Sequence, residues 1–288
     1  MIEDSKEAVG SMGDDTPTAV LSKNYRPVAH FFRQNFSQVT NPPIDSLREN
    51  EVMSLKTRFG SLGNILDFEN LTEENIYVLE SPILSNSQFN KFLEFFKASA
   101  KVIDCTFDIN ESLKNRIEEI CSEALTAVRE GAKHLILSDK GISETRITVP
   151  TILAIGAVNS RLIKSKIRGF ASINVQTSEA LDTHSFAVML GVGASTINPY
   201  LAIDTINHRW EKKLFGNLGY RECVNRYIKA IDKGLLKIMS KMGICTVSSY
   251  RGSEIYEIIG IDNNVTNEAF TNSFTRTEGL SYKKIDEN

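Results

Sequence analysis

Two stretches of this chain carry glycines and charge in an order that could hold an anion. GVGAS (191–195) has the look of a phosphate loop, in which free N–H groups at a helix start point at the ligand. Such a loop must run from a strand into a helix. Here the order is reversed: an apolar helical run ends at Gly191 and an extended run begins near Ser195. The glycines therefore read as the turn that closes a helix. SSYRGSE (248–254) follows an apolar run, so Arg251, Gly252 and Ser253 form a candidate anion site, with a helix expected to open at Ser253. The competing reading is a capped helix start with a solvent-facing arginine, because no second basic residue stands beside it in sequence.

Other reactive types are scattered. His184 lies two residues from Asp182 at a helix start, a spacing that does not bring side chains face to face, so a hydrogen-bonding or capping role is expected. His30, His134 and His208 are isolated. Cys105, Cys121, Cys223 and Cys245 show no CxxC spacing and read as small buried hydrophobes. No metal or Fe–S site and no catalytic residue is expected in this chain. Thr40-Asn41-Pro42-Pro43 reads as a rigid turn offering a hydroxyl and an amide.

Composition narrows the class. At 288 residues with 41% hydrophobic and 24% charged side chains, the chain can bury a large α/β core. A formal charge of −3 argues against nucleic acid as a partner. The basic run RLIKSKIR (161–168) reads as a solvated helix face. No apolar stretch approaches the roughly 20 residues that span a bilayer. The acidic, polar N-terminus lacks a secretory signal, so no membrane partner and a cytoplasmic location are expected.

The elements that must position these residues follow an α/β rhythm. A helix is expected over Arg26–Phe36 and another after an Asp45 cap. IYVLE (76–80), KVIDCTF (101–107), HLILSD (134–139), FASINVQ (170–176), STINPY (195–200) and GICTVSS (243–249) read as parallel strands. A helix capped by Asn110 carries Leu113, Ile117, Ile120, Cys121, Ala124 and Val128 on one face, and Pro150 starts the next. The fold class is thus α/β: an incomplete or distorted (β/α) barrel-like domain with parallel strands and crossover helices, flanked by linkers. A doubly wound sheet is the alternative.

FSQVTNPPIDSLRENEVMSL (36–55), HLILSD (134–139), VPTILAIGAVNSRLI (149–163), NPYLAIDTI (198–206) and YIKAIDKGLLKIMSKMGICTVSSYRGSEIYEIIGI (227–261) resemble, in order, the central domain of the glutamate synthase large subunit. The resemblance implies a domain joining an N-terminal glutamine amidotransferase to a C-terminal synthase barrel that holds FMN and an Fe–S cluster, with ammonia passing between them to meet 2-oxoglutarate. It implies a linker from the amidotransferase side over 1–22, the central domain over 23–265 and a linker toward the synthase over 266–288. It places Thr40 and Asn41 on the ammonia tunnel wall. It also implies that this chain alone is inactive, with no cofactor of its own and with exposed faces that favour self-association. Departures stand at Asn159, Ser160 and Arg161, where the family usually shows a histidine-rich helix, and at Gln176, Ser178, Leu181, Ser185 and Val192. The alternative is a free-standing phosphate- or flavin-binding barrel enzyme using the Arg251 loop.

Overall fold

The structure, a computed structural model, describes residues 1–6, 17–36, 48–60, 66, 76–271 and 273–287. Its centre is a four-stranded parallel sheet in which Ala100–Asp104, His134–Ser138, Ser172–Gln176 and Thr196–Asn198 lie side by side in chain order. The crossovers are the helices Leu113–Arg129, Thr151–Lys164 and Thr183–Gly191. His134–Ser138 is buried along its whole length, which is why it reads as a continuous apolar run rather than an alternating one. Because strand order never reverses, the sheet has no switch point, and the barrel-like reading prevails over the doubly wound one. A single parallel bridge from Ile83 to Ile197 extends one edge. The long helix Tyr220–Met242 lies against Thr183–Gly191 and Tyr200–Glu211, and Gly243 closes it with a φ of +70°.

Several expectations need correction. Arg26–Phe36 is not a helix: Val28–Phe31 form a short 3₁₀ turn, and Phe32–Gln34 pair antiparallel with the strand Tyr256–Ile261. Phe32 decides this. It is fully buried, with its ring edge-on to Tyr256 and Phe270 at 5.6 and 5.0 Å. The strand Tyr256–Ile261 stands where a helix from Ser253 was expected. GICTVSS is no strand; it ends in the short helix Val247–Tyr250. IYVLE contributes Tyr77–Leu79, antiparallel to Thr57–Phe59, and the 101–107 run breaks at Cys105, beyond which Thr106–Asp108 pairs antiparallel with Arg146–Thr148. Two-residue periodicity does not encode direction, so antiparallel pairs were invisible in the pattern.

Caps moved as well. The helix expected from Asn110 starts at Leu113 after Ser112, while the Asn110 amide donates to Asp108 Oδ1 at 2.9 Å. Pro150 immediately precedes Thr151, the first residue of its helix. Asp45 lies outside the described residues; the helix near it spans Glu49–Val52. Residues 266–288, read as a linker from their polarity, carry the end of the helix Asn263–Ala269, the strand Phe274–Leu280 parallel to Tyr256–Ile261, and the helix Tyr282–Asp286. Phe270 in this stretch is fully buried. Local polarity under-reported a segment in which Ala269 and Phe270 are buried and Leu280, Tyr282 and Ile285 pack against the core, while Phe274 stays exposed.

Candidate functional site

At the N-terminal end of the parallel strands the two glycine-bearing loops meet. Gly252 N donates to Leu190 O at 3.1 Å and Glu254 N to Gly191 O at 3.1 Å, and a Cβ on Gly252 would sit 4.0 Å from Gly193 Cα. GVGAS does close the helix Thr183–Gly191, with Gly193 at a φ of +128°. Its N–H groups are all donated internally: Val192 to Val188 O, Gly193 to Leu190 O, Ala194 to Met189 O and Ser195 to Ile173 O. The same holds for Arg251 N to Val247 O and Ser253 N to Tyr250 O. Neither loop offers a cradle of free amides, so the residues do not fit a flavin or nucleotide phosphate held in the usual way.

What remains there is side-chain chemistry. Arg251 donates through Nη2 to Thr57 Oγ1 at 3.2 Å and Ser195 O at 3.5 Å, while its Nε and Ser253 Oγ are buried without a partner. Burial, then the neighbouring Arg168 cation, holds the Arg251 pKa down to about 10. Arg168 is no solvated helix residue. Its guanidinium donates to Asn159 Oδ1, to Ala171 O at 2.6 Å and to Gly193 O at 3.0 Å. The helix ends at Lys164, and the chain turns Arg168 inward to satisfy carbonyls of the loops. A second basic residue therefore does stand beside Arg251, in space and not in sequence.

At the C-terminal end of the same strands lies a group that residue spacing did not reveal. Asp139, 2% exposed, accepts through one oxygen, Oδ2, from Ser178 N at 2.7 Å, Ser178 Oγ at 2.8 Å and Thr177 Oγ1 at 3.1 Å. Its other oxygen, Oδ1, is buried with no partner. Thr177 Oγ1 also meets Thr151 Oγ1 at 2.7 Å, and Thr151 N donates to Glu179 Oε2 at 2.5 Å. Burial first, and Asp139 as a further cause, pushes the Glu179 carboxyl pKa up. Burial and then Asp139 raises Tyr200 to about 12. Ser138, Gln176 and Asn198 complete the layer, Ser138 Oγ donating to Gln176 Oε1 at 2.9 Å and Gln176 Nε2 to Asn198 Oδ1 at 3.3 Å. The available signal was positional: each of these polar residues ends or follows a buried strand, where α/β sheets gather their polar groups.

His184 behaves as a hydrogen-bonding residue, its Nε2 lying 2.9 Å from Ala29 O, while Asp182 caps the helix by accepting from Ser185 N at 2.8 Å. Thr40 and Asn41 lie outside the described residues. Among the described residues no cluster of three or more His, Cys, Asp or Glu is placed to hold a metal, and no helix is long and apolar enough to cross a membrane. Cys105, Cys121 and Cys223 are buried as expected; Cys245 is exposed, which the sequence reading missed.

The class defined by this geometry is an open, singly wound α/β domain whose glycine loops are closed by its own backbone. A sequence model of the glutamate synthase central domain matches residues 1–262, and the chain belongs to that family. It is 51% identical to the large chain of NADPH glutamate synthase from Azospirillum brasilense over 288 residues, 99% of this chain and 19% of the relative. It is 38% identical to the corresponding large chain of Bacillus subtilis (strain 168) over 291 residues, and 39% identical to the ferredoxin-dependent glutamate synthase of Pyropia yezoensis over 295; these cover 100% and 98% of this chain and 19% of each relative. The chain thus spans about a fifth of the length of the curated relatives it matches. Among solved structures, a flavocytochrome b2 mutant with benzoylformate superposes with a TM-score of 0.38 at 12% identity, over 57% of this chain and 36% of its own. That likeness is too loose to bear on function.

Proposed function

We propose that this chain is a non-catalytic connecting domain of a glutamate synthase large chain, working in the cytoplasm. It holds a glutamine amidotransferase domain and an FMN- and Fe–S-bearing synthase domain in register and contributes to the ammonia path between them. The observation that carries this reading is the end-to-end match to about a fifth of a much longer enzyme. The closed glycine loops are in keeping with it. The core of the domain is residues 23–265; residues 1–22 lead from the amidotransferase side. Residues 266–288 lead toward the synthase after docking on the core, where Asp286 Oδ2 accepts from Leu113 N at 3.4 Å and Lys114 Nζ lies 3.7 Å from Glu268 Oε1.

The test is direct. The purified chain supplied with glutamine, 2-oxoglutarate and a reductant should form no glutamate and show no flavin absorbance. Glutamate formation by the chain alone would overturn the reading and favour a free-standing enzyme. Within the complete large chain, Thr40 and Asn41 are proposed as tunnel-wall residues, with Pro42 and Pro43 stiffening the backbone around them. Asn41→Trp should leave glutaminase activity intact while glutamate made from glutamine falls; an unchanged ratio of the two refutes the assignment. Arg251, Gly252 and Ser253 remain proposed as an anion contact, now carried by the Arg251 guanidinium and Ser253 hydroxyl alone. Saturable phosphate binding that Arg251→Met abolishes would support it, and its absence would remove it.

A further inference from the structure

A cavity of about 200 Å³ opens beside the C-terminal end of the parallel sheet. Phe107, Leu113, Ile147 and Pro150 give it apolar walls, and Glu179 supplies a carboxyl group that the surroundings desolvate. Among the described residues Glu179 is hydrogen-bonded by Thr151 alone, through its backbone N–H and its side chain, although a carboxylate has about four lone-pair sites. Neither Glu179 nor Asp139 behind it makes an ion pair among the described residues, and Asp139 keeps Oδ1 without a hydrogen-bond partner in the interior. The other charged groups on the wall are Arg26, half-buried, and Asp286, exposed. Three carboxyl groups therefore stand in or behind the wall against one guanidinium. A buried carboxylate without a cation is costly, so the site is built to gain from one that arrives.

We propose that this cavity is a binding pocket for a small organic ammonium ion, whose cationic head pairs with Glu179 and whose short apolar body lies against Phe107, Leu113 and Ile147. The size limit follows from volume: 200 Å³ is about six or seven times the share of one liquid water, enough for an amine of about five non-hydrogen atoms. An apolar wall around a single oriented charge is the usual make-up of a small-molecule site. The position fits too, since open α/β sheets bind ligands outside the carboxyl ends of their strands. This inference is independent of the connecting-domain reading.

The test is calorimetric or NMR titration of this chain with n-butylammonium, n-butanol and butyrate. n-Butylammonium should bind saturably, about tenfold more tightly than n-butanol, as a charge-assisted hydrogen bond in a desolvated site would give, and butyrate should not bind. Glu179→Gln keeps an acceptor for Thr151 N and should bring n-butylammonium down to the level of n-butanol while leaving n-butanol unchanged. Ile147→Trp, which fills the cavity from its rim, should abolish binding of both and serves if the first variant does not fold. Equal binding of the amine and the alcohol overturns the proposal. So does unchanged ammonium binding in Glu179→Gln or in Ile147→Trp, or no binding of the amine at all.

Discussion

The two ends of the parallel sheet are built from opposite charges and treat them in opposite ways. At the N-terminal end, Arg168 donates to two backbone carbonyls and an amide oxygen, the N–H groups of Val192 to Ser195 and of Arg251 to Glu254 are all used, and the groups left over are donors, Arg251 Nε and Ser253 Oγ. At the C-terminal end, Asp139 crowds three donors onto one oxygen and leaves the other bare, and Glu179 is desolvated without a cation among the described residues. The first arrangement is a structural clasp, in which cations take the place of missing backbone donors. The second retains an acceptor that the protein does not satisfy. Glycine-rich loops attract functional readings; in this molecule the less conspicuous end has the chemistry to spare.

That contrast can be broken from the clasp side first. Gly193→Ala places a Cβ 2.8 Å from the Asn159 side chain at a φ of +128°. Left-handed backbone strain and the forced shift of Asn159 together should cost about 3 kcal/mol, read as a large drop in denaturant midpoint. A change within about 0.5 kcal/mol would show that the clasp is loose. On the opposite side, Asp139→Ala strands Ser178 N and Ser178 Oγ, takes one partner from Thr177 Oγ1, and should cost about 2 kcal/mol. Asp139→Asn keeps one acceptor oxygen and removes a buried charge, so it should cost less than about 1 kcal/mol. If the two variants are equally destabilised, the charge and not the hydrogen bonds holds that end together.

A pH series sharpens the comparison further. His134 starts the second parallel strand, tilted against Phe96 with ring centroids 3.9 Å apart and its Nδ1 2.9 Å from Ser172 Oγ. Burial, then Lys133, brings its pKa from 6.5 down to about 4. The unfolded chain takes up this proton below about 6.5 and the folded chain only near 4. The His134 contribution is therefore fully present above about 6.5 and is lost as pH falls through 4. The melting temperature of the wild type minus that of His134→Phe should therefore fall as pH drops from about 6.5 to about 4 and stay flat above that window; a flat difference throughout would mean that His134 titrates in the fold as it does in the unfolded chain. The smallest effect concerns thiols. A maleimide should label exposed Cys245 in the native state and spare Cys121, which burial pushes up to about 11, along with buried Cys105 and Cys223. Labelling of Cys121 before unfolding would reveal opening of the helix Leu113–Arg129.

Much of this was legible along the chain, and the limits have physical causes. Runs such as HLILSD and STINPY declared themselves as buried strands because burial on both faces demands apolar residues throughout. The helix face from Leu113 to Val128 followed from the 3.6-residue period, and the reversed order around GVGAS already marked a helix end. Motif order along the chain was enough to point to the family. Pairing partners were another matter. Phe32–Gln34 became a strand only because Tyr256–Ile261 comes back to meet it, and the 266–288 segment became structured only because Phe270 finds the same core. The placement of Arg168 beside Arg251, and of Asp139 beside Glu179, likewise depends on which loops the sheet brings to one end. Local periodicity records how each residue meets its nearest neighbours in sequence. Only the closed tertiary structure decides which distant residues share a desolvated space, and hence which charges are clasped and which remain available.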